Sequence, residues 1–308
     1  TGSGDVNHTY GIVAHNTGTS NGSALEVGYG SSDFEIDHIE GKGNPLRYNE
    51  LSQPVFSGSF GISFKTYPDC ANPKWDRGNF SQNNSLIHDN YLHDTKYEGI
   101  YLGTSHNGWI AANGYTPGFT CNGVKHIEAD LVNVEVLRNR IENTGNDAIQ
   151  IGGSLAYTLV KNNYIYNFGV YGQAAHSSAI QIGAGTKAIV DSNWIENPTN
   201  VQRFSQGLKH QGLGDTVYMN NVVIGASNGM QMLRNTDVNL GLNLPVTHVY
   251  NNTIVNSSAE AYYFLCSNLK TVDIKNNLNA GYTFPYLSGN GGYACAPALT
   301  TSNLYFTH

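Results

Sequence analysis

One lysine stands out among the residues that could do chemistry. Lys209 lies in the segment SQGLKHQ (205–211), and the equivalent residues of the neighbouring repeats are the neutral Gln181 and Gln231. An ammonium group among neutral amides is expected to have a lowered pKa, which would let it act as a general base. His176, in the repeat before, is a further candidate for assisting proton transfer. A solvated surface lysine is the alternative interpretation of Lys209.

Two carboxylates form a rival candidate site. Glu98 precedes the segment GIYLG (99–103) and Asp147 precedes AIQIG (148–152), so the two acids occupy the same position in successive repeats. Pairs of carboxylates are the catalytic groups of glycosidases. Acids at strand starts also cap turns, and a pair of them can bind calcium, so these interpretations stand beside the catalytic one.

These residues belong to an internal repeat built from two kinds of segment. The first kind is a short apolar alternation opened by a small residue, and the second carries an asparagine two residues before an apolar residue. Segments of the first kind are ALEVG (24–28), GISFK (61–65), GIYLG (99–103), AIQIG (148–152 and 179–183), GLKHQ (207–211), GMQML (229–233) and AYYFL (261–265). The asparagines of the second kind are Asn90, Asn139, Asn163, Asn193, Asn221, Asn252 and Asn277. The two kinds alternate without helical periodicity, so each repeat is two or three strands joined by turns.

Strands that recur without helices between them can pair in parallel only as a coil, each turn stacked on the last at the ~4.8 Å strand spacing. We therefore expect an all-β solenoid that forms a single domain over residues 1–308, with the asparagines stacked in line at one turn. The pattern resembles the right-handed parallel β-helix (pectate-lyase-like) superfamily, and the resemblance covers nearly the whole chain.

Strand alternation sorts the residues of the first kind of segment by direction. The isoleucines and their equivalents should point into the core, and the residue after each should point outward. The outward candidates for holding sugar hydroxyls are Tyr101, Gln150, Gln181 and Gln231, with Gln211 two residues past Lys209. The glutamines could equally stack on one another as a polar ladder. Glycines at the Gln211 position predict a shallow trough that a flat ligand could enter. Glu98 and Asp147 have inward parity, although they lie at the turn.

A lysine and an arginine on successive repeats resemble the polysaccharide lyases of the chondroitinase B and alginate lyase type. The resemblance implies that Lys209 abstracts the proton α to a uronate carboxylate and that Arg234 protonates the leaving oxygen. It also implies that Ca²⁺ neutralises the carboxylate. The chain departs from the pattern because Arg234 lies three residues past Gln231 rather than in the same column, and no acidic calcium cluster is evident.

The sequence thus predicts a secreted enzyme that cleaves a polysaccharide in the groove of the β-helix, by β-elimination on a uronate-containing glycan. Hydrolysis by Glu98 and Asp147 is the alternative. A non-catalytic adhesin or carbohydrate-binding solenoid is a further alternative, which the many neutral polar positions favour.

Two insertions interrupt the coil, at about 66–85 and 104–130. Both follow strands of consecutive repeats at the same end, so they should lie side by side. Their aromatic residues, Trp75 and Trp109 among them, would form a wall for sugar stacking or would pack the loops onto the coil. Residues from about 281 to 308 are expected to form a C-terminal tail.

Four cysteines, Cys70, Cys121, Cys266 and Cys295, lack the C-x-x-C spacing of zinc sites. We expect a Cys70–Cys121 disulfide between the insertions and a Cys266–Cys295 disulfide that pins the tail. An even number of cysteines and a chain that begins at Thr1 are typical of a mature exported protein, secreted or on the cell surface.

The overall charge indicates which classes of binding partner are unsuitable. The net charge is −7, with 13% charged residues, so there is no basic footprint for nucleic acid. No stretch is apolar enough for a membrane span. We expect a monomer whose partner is a polysaccharide.

Overall fold

The computed structural model describes most of the chain. The described residues are 12–15, 23–28, 30–43, 47–48, 54–55, 60–66, 69–104, 119–154, 156, 158–172, 176–183, 185–198, 205–211, 214–232, 246–264, 271–286 and 299–306. Trp109, Arg234, Cys266 and Cys295 lie outside them, so the predictions made for these four residues stay predictions.

The chain winds through three faces in a fixed order, and each face is a column of parallel strands. Face A contains β2 (Ser23–Val27), β7 (Phe60–Phe64), β10 (Ile100–Gly103), β15 (Ile149–Gly152), β18 (Ser178–Ile182), β21 (Gln206–His210) and β24 (Asn228–Met232). Face B contains β3 (Phe34–Asp37), β8 (Ser81–His88), β13 (Asp130–Leu137), β16 (Thr158–Lys161), β19 (Ala188–Asp191), β22 (Thr216–Met219) and β25 (Val246–Tyr250). Face C contains β1 (Ile12–His15), β4 (Ile39–Lys42), β9 (Tyr91–Thr95), β14 (Arg140–Thr144), β17 (Tyr164–Tyr166), β20 (Trp194–Glu196) and β23 (Val222–Ile224).

The last three strands run through more than one face. They are β26 (Thr253–Phe264), β27 (Thr271–Tyr286) and β28 (Leu299–Phe306). Two small antiparallel pairs, β5 (Arg47–Tyr48) with β6 (Pro54–Val55) and β11 (Phe119–Cys121) with β12 (Val124–His126), lie outside the coil, as does a short 3₁₀ helix, Pro73–Trp75.

The strand register aligns the repeats as the sequence predicts. On face A, Tyr101 pairs with Gln150, Gln150 with Gln181, Gln181 with Lys209, and Lys209 with Gln231, always in parallel. The isoleucines beside these residues are fully buried in one continuous apolar core. The predicted all-β parallel β-helix is confirmed.

The predicted asparagine stack is a buried ladder at the turn between faces B and C. Each Nδ2 donates to the Oδ1 of the next asparagine at 2.9–3.0 Å, from Asn90 through to Asn277. That Oδ1 also accepts the backbone N–H of the previous ladder asparagine. The residue before each asparagine has a φ of 51–57°. The side-chain amides therefore satisfy backbone groups that a left-handed residue takes out of the sheet ladders.

The two insertions lie against each other, as predicted. The N–H of Arg77 donates to the carbonyl of Ile127 at 2.8 Å, and His126 Nδ1 lies 2.8 Å from Oδ2 of Asp76. The boundaries differ from those predicted, because β8 begins inside the first insertion at Ser81.

The predicted C-terminal tail belongs in part to the coil. Strand β28 pairs in parallel with β27, with Val272 opposite Leu299 and Leu278 opposite Leu304.

Among the cysteines, Cys70 is the one whose side chain is described, and it is not a free thiol. Both predicted pairings stay predictions, since the side chains of the other three cysteines lie outside the described part. Within the described residues, no helix has the length and apolar character needed to cross a membrane.

Candidate active site

Glu98 and Asp147 lie at the corner where the chain enters face A, and this corner turns their side chains outward. The residue after each acid is small. Ala148 is fully buried in the core, and a Cβ added to Gly99 would lie 2.6 Å from Cγ2 of the core residue Ile141. The small residues therefore point inward, and strand alternation places the acids on the outer side.

The predicted inward parity of the two acids was wrong, and the corner supplies the reason. Two successive residues, the small residue and the isoleucine after it, both face the core there. The alternation is thus interrupted once, which reverses the direction expected for the two acids.

Three titratable side chains meet at this corner. His176 Nδ1 lies 3.6 Å from Oε1 of Glu98 and 3.7 Å from Oδ2 of Asp147. Oδ1 of Asp147 accepts a 2.6 Å hydrogen bond from the N–H of Ser178, the first residue of β18. Asn146 Nδ2 lies 3.4 Å from Oε1 of Glu98. The structure thus brings together His176 and the two acids, which the sequence analysis had assigned to different chemistries.

His176 is the most exposed of the three side chains. Glu98 is 3% exposed and Asp147 is fully buried, whereas the histidine side chain is 40% exposed. Its Nδ1 atom is buried on the side of the carboxylates. The two carboxylates therefore lie deeper than the imidazole beside them.

Burial, and after it the nearby Asp147 carboxylate, raise the pKa of Glu98 to about 7, while His176 and Lys65 oppose the shift. Contact with the Asp147 carboxylate raises the pKa of His176, and the charge of Glu98 acts in the same direction. Near neutral pH, Glu98 is consequently protonated about half of the time. A carboxylic acid in that state can act as a proton donor.

Lys209 belongs to the same group of charges, but solvent does not reach it. The side chain is 1% exposed. Burial lowers its pKa, as the sequence predicted, while Asp147 opposes the shift. The next residue, His210, is fully buried, and burial lowers its pKa to about 4. The partnership of Lys209 with Arg234 stays a prediction, because Arg234 lies beyond the described residues.

Gln150 and Gln181 have the predicted register without the predicted exposure. Both are fully buried, whereas Tyr101, Gln211 and Gln231 are half-buried. The open groove expected along the two glutamines is therefore absent from this described stretch of face A. Alternation decides on which side of a sheet a residue lies, and it says nothing about what else covers that side.

The glycines beside this column are needed for close backbone packing, and they do not form an open trough. Gly103 has a φ of +62°, and a Cβ on it would lie 2.1 Å from the carbonyl oxygen of Gly152. At Gly183, a Cβ would lie 3.0 Å from the carbonyl oxygen of Ile151. Gly152 and Gly183 are both buried. Here the glycines allow neighbouring turns to pack closely.

Trp75 packs its insertion onto the coil. Its ring centroid lies 5.2 Å from that of Phe80, and a Cβ on Gly30 would lie 2.2 Å from the indole. This agrees with the alternative that the loop aromatics pack the insertions. The sugar-stacking role of Trp109 stays a prediction.

Sequence reasoning missed one cation at the site. Lys65 follows β7, is half-buried, and acts electrostatically on Glu98. The available signal was a lysine at a position where the adjacent repeats carry Gly28 and Gly103.

The acid cluster could also hold a metal ion. Glu98, Asp147 and His176 offer one ligand atom each, and these atoms lie within 4.8 Å of one another. Two carboxylates and an imidazole suit a transition metal such as Zn²⁺. Ca²⁺ takes 6–8 oxygen ligands, more than these three side chains supply. The predicted calcium dependence is untested.

Comparison with known proteins gives no family. No family model matches the chain, and no curated protein matches it.

Proposed function

We propose that the chain hydrolyses glycosidic bonds of a polysaccharide, with Glu98 and Asp147 as the catalytic pair. One observation carries the proposal: two carboxylates from successive turns of the coil offer oxygen atoms within 4.8 Å of each other, at an outward-facing corner. Glycoside hydrolysis needs one carboxylic acid to protonate the leaving oxygen and one carboxylate to act at the anomeric carbon.

The environments of the two acids suggest how the roles divide. Glu98 can hold a proton near neutral pH because burial and Asp147 raise its pKa to about 7, so in this proposal it is the proton donor. Asp147 is fixed by the 2.6 Å hydrogen bond from Ser178 N–H, which orients its other oxygen toward His176 and Glu98. In this proposal Asp147 attacks the anomeric carbon. Glu98, having given up its proton, then activates the water that releases the sugar.

Substrate reaches the buried acids only if neighbouring side chains move, and in this proposal the partly exposed His176, within 3.7 Å of both, is the one that does. Rotation about its side-chain bonds would open the corner without moving the sheet. The same closure excludes water from the acid pair when no substrate is present.

Activity on a panel of polysaccharides, with reducing ends and ultraviolet absorbance followed together, tests the proposal. We expect new reducing ends without the absorbance of unsaturated sugars. Glu98→Gln and Asp147→Asn should each lower the rate at least ~100-fold, the usual range for loss of a general acid or base. Glu135→Gln, on face B, is the matched control and should leave the rate unchanged. Equal activity in all three variants would remove Glu98 and Asp147 from the mechanism.

The separation of the acids adds a stereochemical expectation to this experiment. Retaining glycosidases hold their carboxyl groups about 5–5.5 Å apart, whereas inverting enzymes need about 6.5–9.5 Å to admit water. The short separation at this corner favours retention, which proton NMR of the first product would record. An inverted product would assign Asp147 the role of general base instead.

β-Elimination on a uronate-containing glycan is the second candidate. The lowered pKa of Lys209, close to Asp147, favours it. Products that absorb in the ultraviolet, and that disappear in Lys209→Ala but persist in Asp147→Asn, would establish the lyase in place of the hydrolase. Binding without turnover would leave the non-catalytic solenoid.

A chelator separates acid catalysis from metal catalysis at the same residues. Hydrolysis by the acid pair should survive dialysis against EDTA. Loss of activity that Zn²⁺ restores would instead identify Glu98, Asp147 and His176 as metal ligands. Export from the cell is a further part of the proposal, supported by the cysteine content.

A further inference from the structure

A cation and three aromatic rings lie beside the acid pair. The Nζ atom of Lys65 lies 3.2 Å from the ring centroid of Tyr101 and 5.1 Å from that of Phe60. The Phe60 ring lies 5.5 Å from Tyr97 and 6.0 Å from Tyr101. These residues come from two successive turns of the coil, and all four are half-buried.

This group adjoins the catalytic corner directly. Tyr97 is the residue before Glu98 in the chain, and the charges of Lys65 and Glu98 act on each other. In the described part of the chain, two lysines act electrostatically on the acid pair, and of these Lys209 is fully buried and Lys65 is half-buried. Within the described residues, Lys65 is therefore the lysine of this site that a ligand could reach.

The surroundings of Lys65 favour an anion as its partner. Burial lowers the pKa of Lys65 to about 8, against the pull of Glu98 and Glu26. The ammonium is still charged at neutral pH, but it has lost part of its hydration among the rings. An arriving anion would replace that hydration.

We propose that Phe60, Lys65, Tyr97 and Tyr101 form a subsite for a negatively charged sugar, next to the bond that is cleaved. The ammonium of Lys65 pairs with the anionic group and the aromatic rings contact the sugar ring. The catalytic part of this inference rests on the proposed hydrolysis, but the binding part does not. The anionic group can be a carboxylate or a sulfate ester, which share the chemistry that Lys65 recognises.

Binding measured without turnover tests the subsite. In an Asp147→Asn background, calorimetric titrations would use short fragments of three polymers: a polyuronate, the same polymer after carboxyl reduction, and a sulfated neutral polymer. Binding of the polyuronate with loss on carboxyl reduction identifies a carboxylate site. Binding of the sulfated polymer alone identifies a sulfate site.

Matched variants show which residue is responsible. Lys65→Met should weaken binding of the anionic fragment about tenfold or more, the effect of one lost charge-assisted contact. Lys65→Arg should restore much of it. Lys187→Met, at an exposed lysine ahead of β19, should change nothing. Thermal unfolding of each variant reports whether it is folded.

The outcomes separate this inference from the proposed function. No binding of any anionic fragment, or equal loss of anionic and neutral fragments in Lys65→Met, overturns the subsite even if hydrolysis is found. Lys65-dependent anion binding without hydrolysis by the wild-type chain would leave the subsite standing and overturn the catalytic proposal.

Discussion

At the scale of single residues, the pKa of Glu98 makes the most direct prediction. The proposed donor must be protonated, and its pKa is raised to about 7. Activity should therefore be present below pH 7 and fall as the pH rises through that value. A pH profile of kcat/KM measures this decrease, which forms the basic limb of the profile.

His176 provides the control for this assignment. Its charge lowers the pKa of Glu98, so in His176→Gln the limb should move to higher pH. The rate at low pH should persist if His176 is only a cover for the acids. If the activity of His176→Gln falls at the same pH as that of the wild type, a group other than Glu98 is responsible for the decrease.

At the scale of structural elements, the asparagine ladder should contribute strongly to stability. Asn163 Nδ2 donates to Asn193 Oδ1 and to the carbonyl of Val136, both at 2.9 Å, and Asn163 Oδ1 accepts from the N–H and Nδ2 of Asn139. Each buried polar group left unsatisfied costs about 1–3 kcal/mol. We expect Asn163→Ala to lower the free energy of unfolding by about 3 kcal/mol, measured by chemical denaturation.

An exposed asparagine offers the matched comparison. Asn79 donates one hydrogen bond, to the carbonyl of Pro73, in the first insertion. Asn79→Ala should stay within about 0.5 kcal/mol of the wild type. Similar losses in the two variants would show that the ladder adds little beyond an ordinary surface contact.

At the scale of the whole molecule, the edge of β27 is the one that a shortened chain would expose. Strand β28 covers β27 in parallel register. A chain ending at residue 286 would leave the edge groups of β27 unpaired, and open strand edges template association. Size-exclusion chromatography should show oligomers of this truncated chain, whereas loss of residues 307–308 alone should leave the wild-type profile. A truncated chain that elutes as the wild type would argue against this role for β28.

Much of the fold could be predicted, because pairing in a coil depends on local pattern. The pairing of Ile149 with Ile180 and the stacking of the asparagines can be predicted from the sequence repeat and from the two-residue alternation of a strand. The site depends on features that this pattern does not contain. The corner at Gly99 shifts the alternation, and the full burial of Gln150 does not follow from its place in the repeat. For these reasons Glu98 and Asp147 were recognised as candidates, but their direction and their grouping with His176 were not.

The corner before face A contains one position whose side chain differs from turn to turn and, directly after it, one that stays small. The position occupied by Glu98 and Asp147 continues along the axis as Ser178, Gln206 and Asn228. At each turn the residue that follows is alanine or glycine and is buried, and the position itself is 0–9% exposed. Its chemistry nevertheless differs from turn to turn, so side chains of similar size can replace one another there without a change in the interior. If the proposed hydrolysis is found, an acid pair introduced at another turn would test whether that activity can be transferred along the coil.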